Sequence, residues 1–320
     1  MGFKRSHADM EGHRKHVDGR DHDTRLQPQG HQRQSPFMPM FEYFRYELDE
    51  HHDRRERVIT ASREITRMSK KIIFTLQRIR TVQQPLPAHA SKTNQPLHAA
   101  ITSQFSSVSG DLQGINAYRY DKQISGGRQE WMESISFQYY LEHAKLIGFE
   151  EARVALREQS QPSTTVGAEQ KHESMDVDTE EERTESDVAK LNSNIAVGLT
   201  PEDYLLGIYD MTGELMRFAI TAMATNGSLP AISTPIGQDF QQQEHRRTVL
   251  TDMRELRSAL ESFDAGTGPF AKDAEKKMEV MKGSVEKVER ALYGLTVRGA
   301  ERPKGWMPEI NEASLEVGAS

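Results

Sequence analysis

Apolar residues recur every three or four positions along most of the chain, with charged residues between them, as in amphipathic helices. The longest such run extends from Pro39 to Arg80. Pro85 and Pro87 predict its end, because proline has no backbone N–H with which to continue a helix. We therefore expect one long helix in this part of the chain. Its apolar positions are Phe41, Phe44, Leu48, Val58, Ile65, Met68, Ile72, Leu76 and Ile79.

The same periodicity predicts further helices. One should begin at Pro201, because Thr200 is a favourable N-cap and proline suits the first helical position. Asn226-Gly227 predict its end, and Gly126-Gly127 are a candidate interruption of an earlier helix. No segment alternates polar and apolar residues as a strand does, so the fold class is all-α, with about seven helices. The remaining helices are predicted near residues 97–112, 114–143, 150–158, 239–263 and 269–297.

Three segments lack the apolar pattern of a packed domain. Residues 1–35 and 159–193 are rich in polar and charged side chains, which predicts a disordered tail and a disordered acidic insertion. Residues 306–320 are loosely patterned and are expected to form a C-terminal tail. The predicted organisation is therefore one helical domain, residues 36–305, with the acidic insertion inside it.

The net charge of −7 comes from the insertion. Residues 167–187 carry nine acids and two bases, so the remainder of the chain is neutral overall. The acidic balance therefore does not exclude a nucleic-acid partner for the helical domain.

Composition excludes several other classes. The chain has no cysteine, so it has no disulfide framework, and any metal must be bound by oxygen or imidazole ligands. Its mean hydropathy is −0.72, and no run approaches the ~18 apolar residues of a membrane span. The N-terminus lacks the apolar core of a secretory signal. We expect a cytoplasmic and nuclear protein that does not associate with membranes.

Two pairs of acids stand among apolar and aromatic residues at helical spacing. Glu130 and Glu133 are three positions apart, and Asp210 and Glu214 are four apart, so each pair projects from one side of its helix. If the two helices pack together, the four carboxylates form one pocket. The alternative is a solvent-facing position, which is usual for charged residues on helices. The apolar neighbours of both pairs argue against it.

Clustered carboxylates repel one another and are costly to desolvate unless a cation neutralises them. Mg²⁺ favours carboxylates together with water, and such an ion can activate water and stabilise a phosphate undergoing displacement. Di-iron bundles instead use a Glu-x-x-His pattern. Here Phe137 follows Glu133 by four residues and Arg217 follows Glu214 by three, with no histidine at either offset. The pattern favours Mg²⁺ or Mn²⁺ over a ferritin-like oxidase.

Basic residues near the predicted site are candidates for nucleic-acid binding. Lys70 and Lys71 belong to a basic face of the first helix, and Arg217 shares the face of Asp210, seven residues earlier. A solvated basic face is the alternative. Trp131, Tyr139 and Tyr140 could stack on bases, although packing in the core is the more usual role of such residues.

Several segments, in the right order, resemble the translin family, and within it the nuclease subunits that associate with translin. The resemblance covers roughly residues 36–305 without the acidic insertion. It is carried by residues 47–57, 62–66, 69–71, 129–138, 203–207, 215–217, 287–289 and 297–299, with Glu301 and Pro303.

This resemblance implies a translin-like bundle of about seven helices that assembles with translin into a hollow hetero-octamer. It also implies a Mg²⁺-dependent endoribonuclease acting on single-stranded RNA, in small-RNA passenger-strand removal or tRNA fragment processing. The family's catalytic, metal-binding carboxylates fall on Glu130, Glu133, Asp210 and Glu214. Single-stranded DNA is a further expected ligand. A non-catalytic structural or nucleic-acid-binding subunit of the same complex is the alternative.

Overall fold

The computed structural model describes residues 35–82, 85–161, 196–232 and 247–298. These residues belong to two units, which divide between Glu47 and Leu48. Eight α-helices lie in the described ranges, together with a short 3₁₀ turn at Gly110–Leu112, and an isolated bridge between Ala231 and Thr248 is their only β pairing. The all-α class is thus confirmed. The helices are α1 Met38–Leu76, α2 Ala88–Ser109, α3 Ile115–Arg119, α4 Asp121–His143, α5 Phe149–Ser160, α6 Pro201–Asn226, α7 Val249–Glu261 and α8 Pro269–Arg298.

Helix α1 confirms the predicted long helix and buries only the later part of its apolar face. Val58, Ile65, Ile72 and Leu76 are fully buried, and they lie seven, seven and four residues apart, as one face of a helix requires. The apolar residues at the start of the helix are exposed instead, among them Phe41 at 61%. Exposed apolar residues in the first turns are Met38, Met40, Phe41, Tyr43, Phe44, Tyr46 and Leu48.

Helix α2 begins earlier than its sequence suggested. The predicted start near residue 97 followed Pro96, yet the helix starts at Ala88 and contains Pro96 in its interior. Ala90 and Asn94 are buried on the same face as Ile101, so packing extends the helix through a residue that usually ends one.

Helix α4 is continuous through the two glycines, so the predicted interruption at Gly126-Gly127 was wrong. The chain instead breaks at Tyr120, between α3 and α4. Gly127 serves a close approach to α1: its N–H donates to Ser62 Oγ at 3.0 Å, and a Cβ would meet Ser62 at 3.0–3.1 Å. Gly127 therefore allows α4 to pack closely against α1 and does not interrupt the helix.

Helix α6 begins and ends as predicted. The Thr200 side chain accepts a hydrogen bond from the Asp203 N–H at 3.1 Å, Pro201 is the first helical residue, and Gly227 ends the helix with a positive φ of 71°. Helix α8 also matches its prediction, and α7 begins at Val249 behind a capping box formed by Thr248 and Thr251. Residues 239–246 of the predicted helix lie outside the described residues.

The interior of the second unit is organised around α6, which packs against α4 on one side and α8 on another. Phe137 of α4 meets Phe218 of α6 edge-on, with ring centroids 6.5 Å apart. Closer to the N-terminus of α6, Gly207 lies against Met132, where a Cβ would be only 2.7 Å from Met132 Cβ.

None of the described helices combines the length and the apolar character that a membrane span requires.

Predictions about three segments remain open. Residues 1–34, 162–193 and 306–320 lie outside the described residues, and with them most of the predicted tails and acidic insertion. The first residues assigned to the insertion, Gln159 and Ser160, belong to α5.

Replacing Gly207 with alanine should destabilise the folded chain by about 1–3 kcal/mol, because the added methyl group cannot fit beside Met132 without separating α4 from α6. Chemical denaturation of the full-length chain measures the effect. Gly213→Ala on the same helix is the matched control, since a Cβ there meets no atom within 4 Å. Equal stability of the two variants would contradict the close helix contact.

Candidate active site

The four predicted acids line one cavity of about 710 Å³. Glu130 and Glu133 enter it from α4, and Asp210 and Glu214 enter it from α6. The two pairs meet because α4 and α6 pack side by side, and each pair occupies the side of its helix that faces the cavity. The remaining lining residues are Lys70, Ile73, Phe74, Gln77, Tyr209, Gly213, Arg217, Lys277 and Val280.

Two of these acids have a cationic partner within their own or a neighbouring helix. Lys70 Nζ of α1 lies 3.2 Å from Glu130 Oε1, and Arg217 Nη1 lies 2.6 Å from Glu214 Oε1. Gln77, the residue that follows α1, also donates its side-chain amide to Glu214 Oε2 at 2.7 Å. One side of the cavity is therefore lined by α1, which contacts an acid of α4, and by the residue after it, which contacts an acid of α6.

Helix α8 supplies a third cation. Lys277 forms an ion pair with Asp210, and both side chains are about one-third exposed, at 28% and 37%. The packing of α8 against α6 brings this lysine to the cavity. Three of the four carboxylates are thus neutralised by a cation from the chain itself.

Glu133 differs from the other three acids, since its carboxylate has no ion-pair partner among the described residues. Burial raises the pKa of Glu133 to about 8, with further upward contributions from the charges of Asp210, Glu130 and Glu214, while Lys277 opposes them. Glu133 is therefore largely protonated at neutral pH in this state.

Burial and the cationic and hydrogen-bonding partners of Glu214 shift the pKa of its carboxyl group in opposite directions. Burial raises the pKa of its carboxyl group, although the charge of Arg217 and the hydrogen bond from Gln77 act in the opposite direction. Glu130 and Asp210 add repulsion. These mutual effects show that the four carboxylates influence one another across the cavity.

The donor set fits a hard divalent cation in its chemistry. All four candidate ligands are carboxylates, the ligands that Mg²⁺ and Mn²⁺ prefer. Glu130 Oε2 is buried and has no hydrogen-bond partner, and Glu133 is repelled by its neighbours, so both would gain from a cation. In the described part of the chain, however, no three acidic or histidine side chains already have the arrangement of a metal site. Three of the four acids are held in ion pairs instead.

The predicted nucleic-acid contacts separate into two groups. Lys70 and Arg217 line the cavity, and their side chains are 64% and 66% exposed. Lys71 is exposed outside the cavity lining, where its charge lowers the pKa of Glu64 together with Arg67, the main cause. Trp131 and Tyr140 are buried at 1% and 4% exposure, so neither can stack on a base.

Sequence reasoning missed two residues of the site, Gln77 and Lys277. Gln77 follows Lys70 by seven residues, so helical spacing alone places it on the same face. No sequence pattern distinguishes Lys277 from the other lysines of α8. Only the packing of that helix shows that Lys277 reaches the cavity.

Similarity to known proteins extends over most of the chain. A profile of the Translin family matches residues 53–299. The chain is 32% identical to the Translin-associated protein X of Mus musculus over 319 residues, which cover 99% of this chain and 94% of the mouse protein. It is 26% identical to the Translin-associated protein X homolog of Schizosaccharomyces pombe over 260 residues, 81% of this chain and 88% of that protein.

A solved structure agrees with the fold. The structure described as apo-NeC3PO superposes with a TM-score of 0.51 at 13% identity, covering 80% of this chain and 97% of the other. At this identity the likeness concerns the fold alone. The all-α architecture, the profile match over most of the chain and the relatives matched along almost its full length lead to one conclusion: the chain belongs to the translin family.

Proposed function

We propose that this chain is the catalytic subunit of a Mg²⁺-dependent endoribonuclease that acts on single-stranded RNA in a hetero-oligomer with translin. The observation that carries the proposal is the meeting of Glu130, Glu133, Asp210 and Glu214 in one cavity with exposed cations beside them. The name of the mouse relative supports translin as the partner. Small-RNA passenger-strand removal or tRNA fragment processing is the proposed context, in the cytoplasm and nucleus.

Glu130, Glu133, Asp210 and Glu214 would hold one or two Mg²⁺ ions, with Mn²⁺ as a substitute. The bound metal supplies a polarised water and stabilises negative charge on the scissile phosphate. Arg217 would donate hydrogen bonds to that phosphate, since its exposed guanidinium lies beside Glu214. Lys70 lies on the opposite helix of the cavity and would attract the strand as a point charge. Lys71 is proposed as a more distant contact to the backbone.

The ion pairs suit this function because they keep the carboxylates in place without a metal. Removing Lys70, Arg217 and Lys277 would leave acids that repel one another in a partly buried cavity. The same lysine and arginine side chains become available to phosphate when their carboxylate partners bind a cation. The cavity thus contains both sets of charges that phosphoryl transfer requires.

A non-catalytic nucleic-acid-binding subunit of the same complex is the second candidate function. One observation favours it: within the described ranges, three of the four acids are paired with cations and no three acids have the arrangement of a metal site. It predicts RNA binding that is insensitive to EDTA and no cleavage by the assembled complex.

Replacing Asp210 or Glu133 with alanine should abolish RNA cleavage, because either change removes a proposed metal ligand. We expect a loss of at least about 100-fold in the cleavage rate while assembly with translin is retained. The measurement is cleavage of labelled single-stranded RNA with and without translin, in Mg²⁺ and in EDTA.

Glu158→Ala, an exposed acid on α5, is the matched control for these two substitutions. Thermal unfolding in increasing Mg²⁺ provides a readout independent of activity, since a ligand that binds the folded chain raises the melting temperature. Undiminished cleavage by both cavity variants would contradict the assignment. Cleavage that persists in EDTA would contradict the metal requirement.

Replacing Glu133 with glutamine should stabilise the metal-free chain, and more so as the pH rises. The folded pKa of about 8 exceeds the ordinary value of 4.5, so the folded state retains a proton that the unfolded state releases. This group's contribution to stability is therefore present below pH 4.5 and lost as the pH rises to about 8. The variant's free energy of unfolding should exceed that of the wild type. We expect this difference to be larger at pH 8.5 than at pH 4.5 by on the order of 1–3 kcal/mol.

Unfolding experiments in EDTA at the two pH values measure this difference. Glu158→Gln serves as the control for removal of an exposed negative charge. A gain for Glu133→Gln that does not change with pH would contradict the repulsion among the four carboxylates.

A further inference from the structure

Phe74 is an aromatic residue of α1 whose side chain is left 64% exposed at the edge of the carboxylate cavity. Two aromatic rings belong to the described lining of this cavity, and the other, Tyr209, is only 5% exposed. A phenyl ring has no polar group to hydrate, so its exposure beside four acids and three cations is energetically unfavourable in the isolated chain. Ligand sites combine aromatic side chains with a few polar and charged groups, and the edge of this cavity presents both, with Phe74 as its exposed ring.

Phe74 has a cationic residue on either side of it in the chain. Lys70 precedes it by four residues, and Arg78 follows it by four, with the guanidinium carbon 4.7 Å from the centroid of the Phe74 ring. Lys70 and Phe74 are one turn apart on α1, and Arg78 lies in the turn that follows the helix. Arg78 is exposed as well, and its guanidinium lies over one face of the Phe74 ring in a cation–π contact. The part of the ring that stays exposed, or the guanidinium itself, is then the surface available for stacking.

We propose that Phe74 and Arg78 form a base platform, a site on which an unpaired nucleobase of the RNA strand stacks. This inference rests on the proposed function and adds a subsite to it. Lys70 and Arg217 line the same cavity with exposed side chains, so a strand whose phosphates contact them brings its bases to the adjacent face of α1. Alternation of stacking surfaces and cations is the chemistry by which proteins bind single strands.

The base platform also provides a physical basis for selecting single-stranded RNA. Both faces of a base inside a duplex are covered by neighbouring bases, so only an unpaired base can stack on Phe74. Every nucleobase has an aromatic face, so the platform tolerates many sequences and favours purines through their larger stacking area. Selection between single and double strands therefore comes from α1, whereas the acids of α4 and α6 act on the phosphate.

The test compares RNA binding by the wild type and Phe74→Ala in EDTA, where cleavage does not interfere. Fluorescence anisotropy gives the Kd of the full-length chain, alone and co-purified with translin, for a labelled oligoadenosine and for an abasic ribose-phosphate strand of equal length. Stacking of one base accounts for roughly a 5- to 150-fold change in Kd. We expect Phe74→Ala to weaken oligoadenosine binding within this range and to leave binding of the abasic strand unchanged.

Two matched variants define the role of the ring. Phe74→Trp keeps a stacking surface and should retain the preference for oligoadenosine. Phe263→Ala removes an aromatic side chain that is 45% exposed and absent from the cavity lining, and it should bind both strands like the wild type. Equal loss of affinity for both strands in Phe74→Ala, or no loss for either, would overturn the base platform.

The remaining outcomes separate this inference from the proposed function. If Phe74→Ala loses co-purification with translin but keeps its preference for bases over abasic strands, the ring contacts a protein and the base platform is wrong. If the wild-type complex shows no cleavage in Mg²⁺ while the loss in Phe74→Ala remains specific to oligoadenosine, the nuclease proposal fails and the base platform stands.

Discussion

The contact between α4 and α6 is the constraint on which the candidate site depends. At its N-terminal end, the Arg128 guanidinium of α4 forms a buried ion pair with Asp203 of α6 at 2.6 Å, with side-chain exposures of 6% and 3%. Arg128 also donates to the Gly198 carbonyl, and Gln129 donates to Asp203. Loss of one partner from such a buried pair costs about 3–5 kcal/mol, because the other charge is left without compensation. The pair therefore joins α4 to α6 next to the acids of α4, since Arg128 precedes Glu130 by two residues.

The packing of α4 against α6 also determines which charges meet inside the cavity. Two packed helices that each project two acids place like charges close together, and the fold stabilises this with Lys70, Arg217 and Lys277 from three different helices. Glu133 stays without such a partner, and burial together with three acidic neighbours raises its pKa. A divalent cation would relieve this repulsion more completely than monovalent side chains can, because it brings two charges to oxygen ligands at short distance. The side chains whose mutual repulsion the fold must offset are therefore also the proposed metal ligands.

Helix ends were predicted correctly from the sequence where interactions between neighbouring residues determine them. The Thr200 cap, the following Pro201 and the Gly227 stop form hydrogen bonds or backbone conformations within a few residues, so their positions could be predicted. The predictions that failed concern residues whose local preference is outweighed by packing. Pro96 lies inside α2 because one face of that helix is buried, and Gly127 of α4 permits a close contact with α1. Neither effect is visible in a single helix.

The sequence by itself determined which residue types stand on one side of each helix, and therefore that Glu130 with Glu133 and Asp210 with Glu214 form two pairs. Helical periodicity suffices for this, since positions three and four apart are always neighbours. Only the tertiary structure decided that the two pairs share a cavity, that Lys277 from α8 reaches Asp210, and that Phe74 is left exposed at the edge. These facts depend on distances between helices far apart in the chain, and helix packing sets such distances through side chains on both partners.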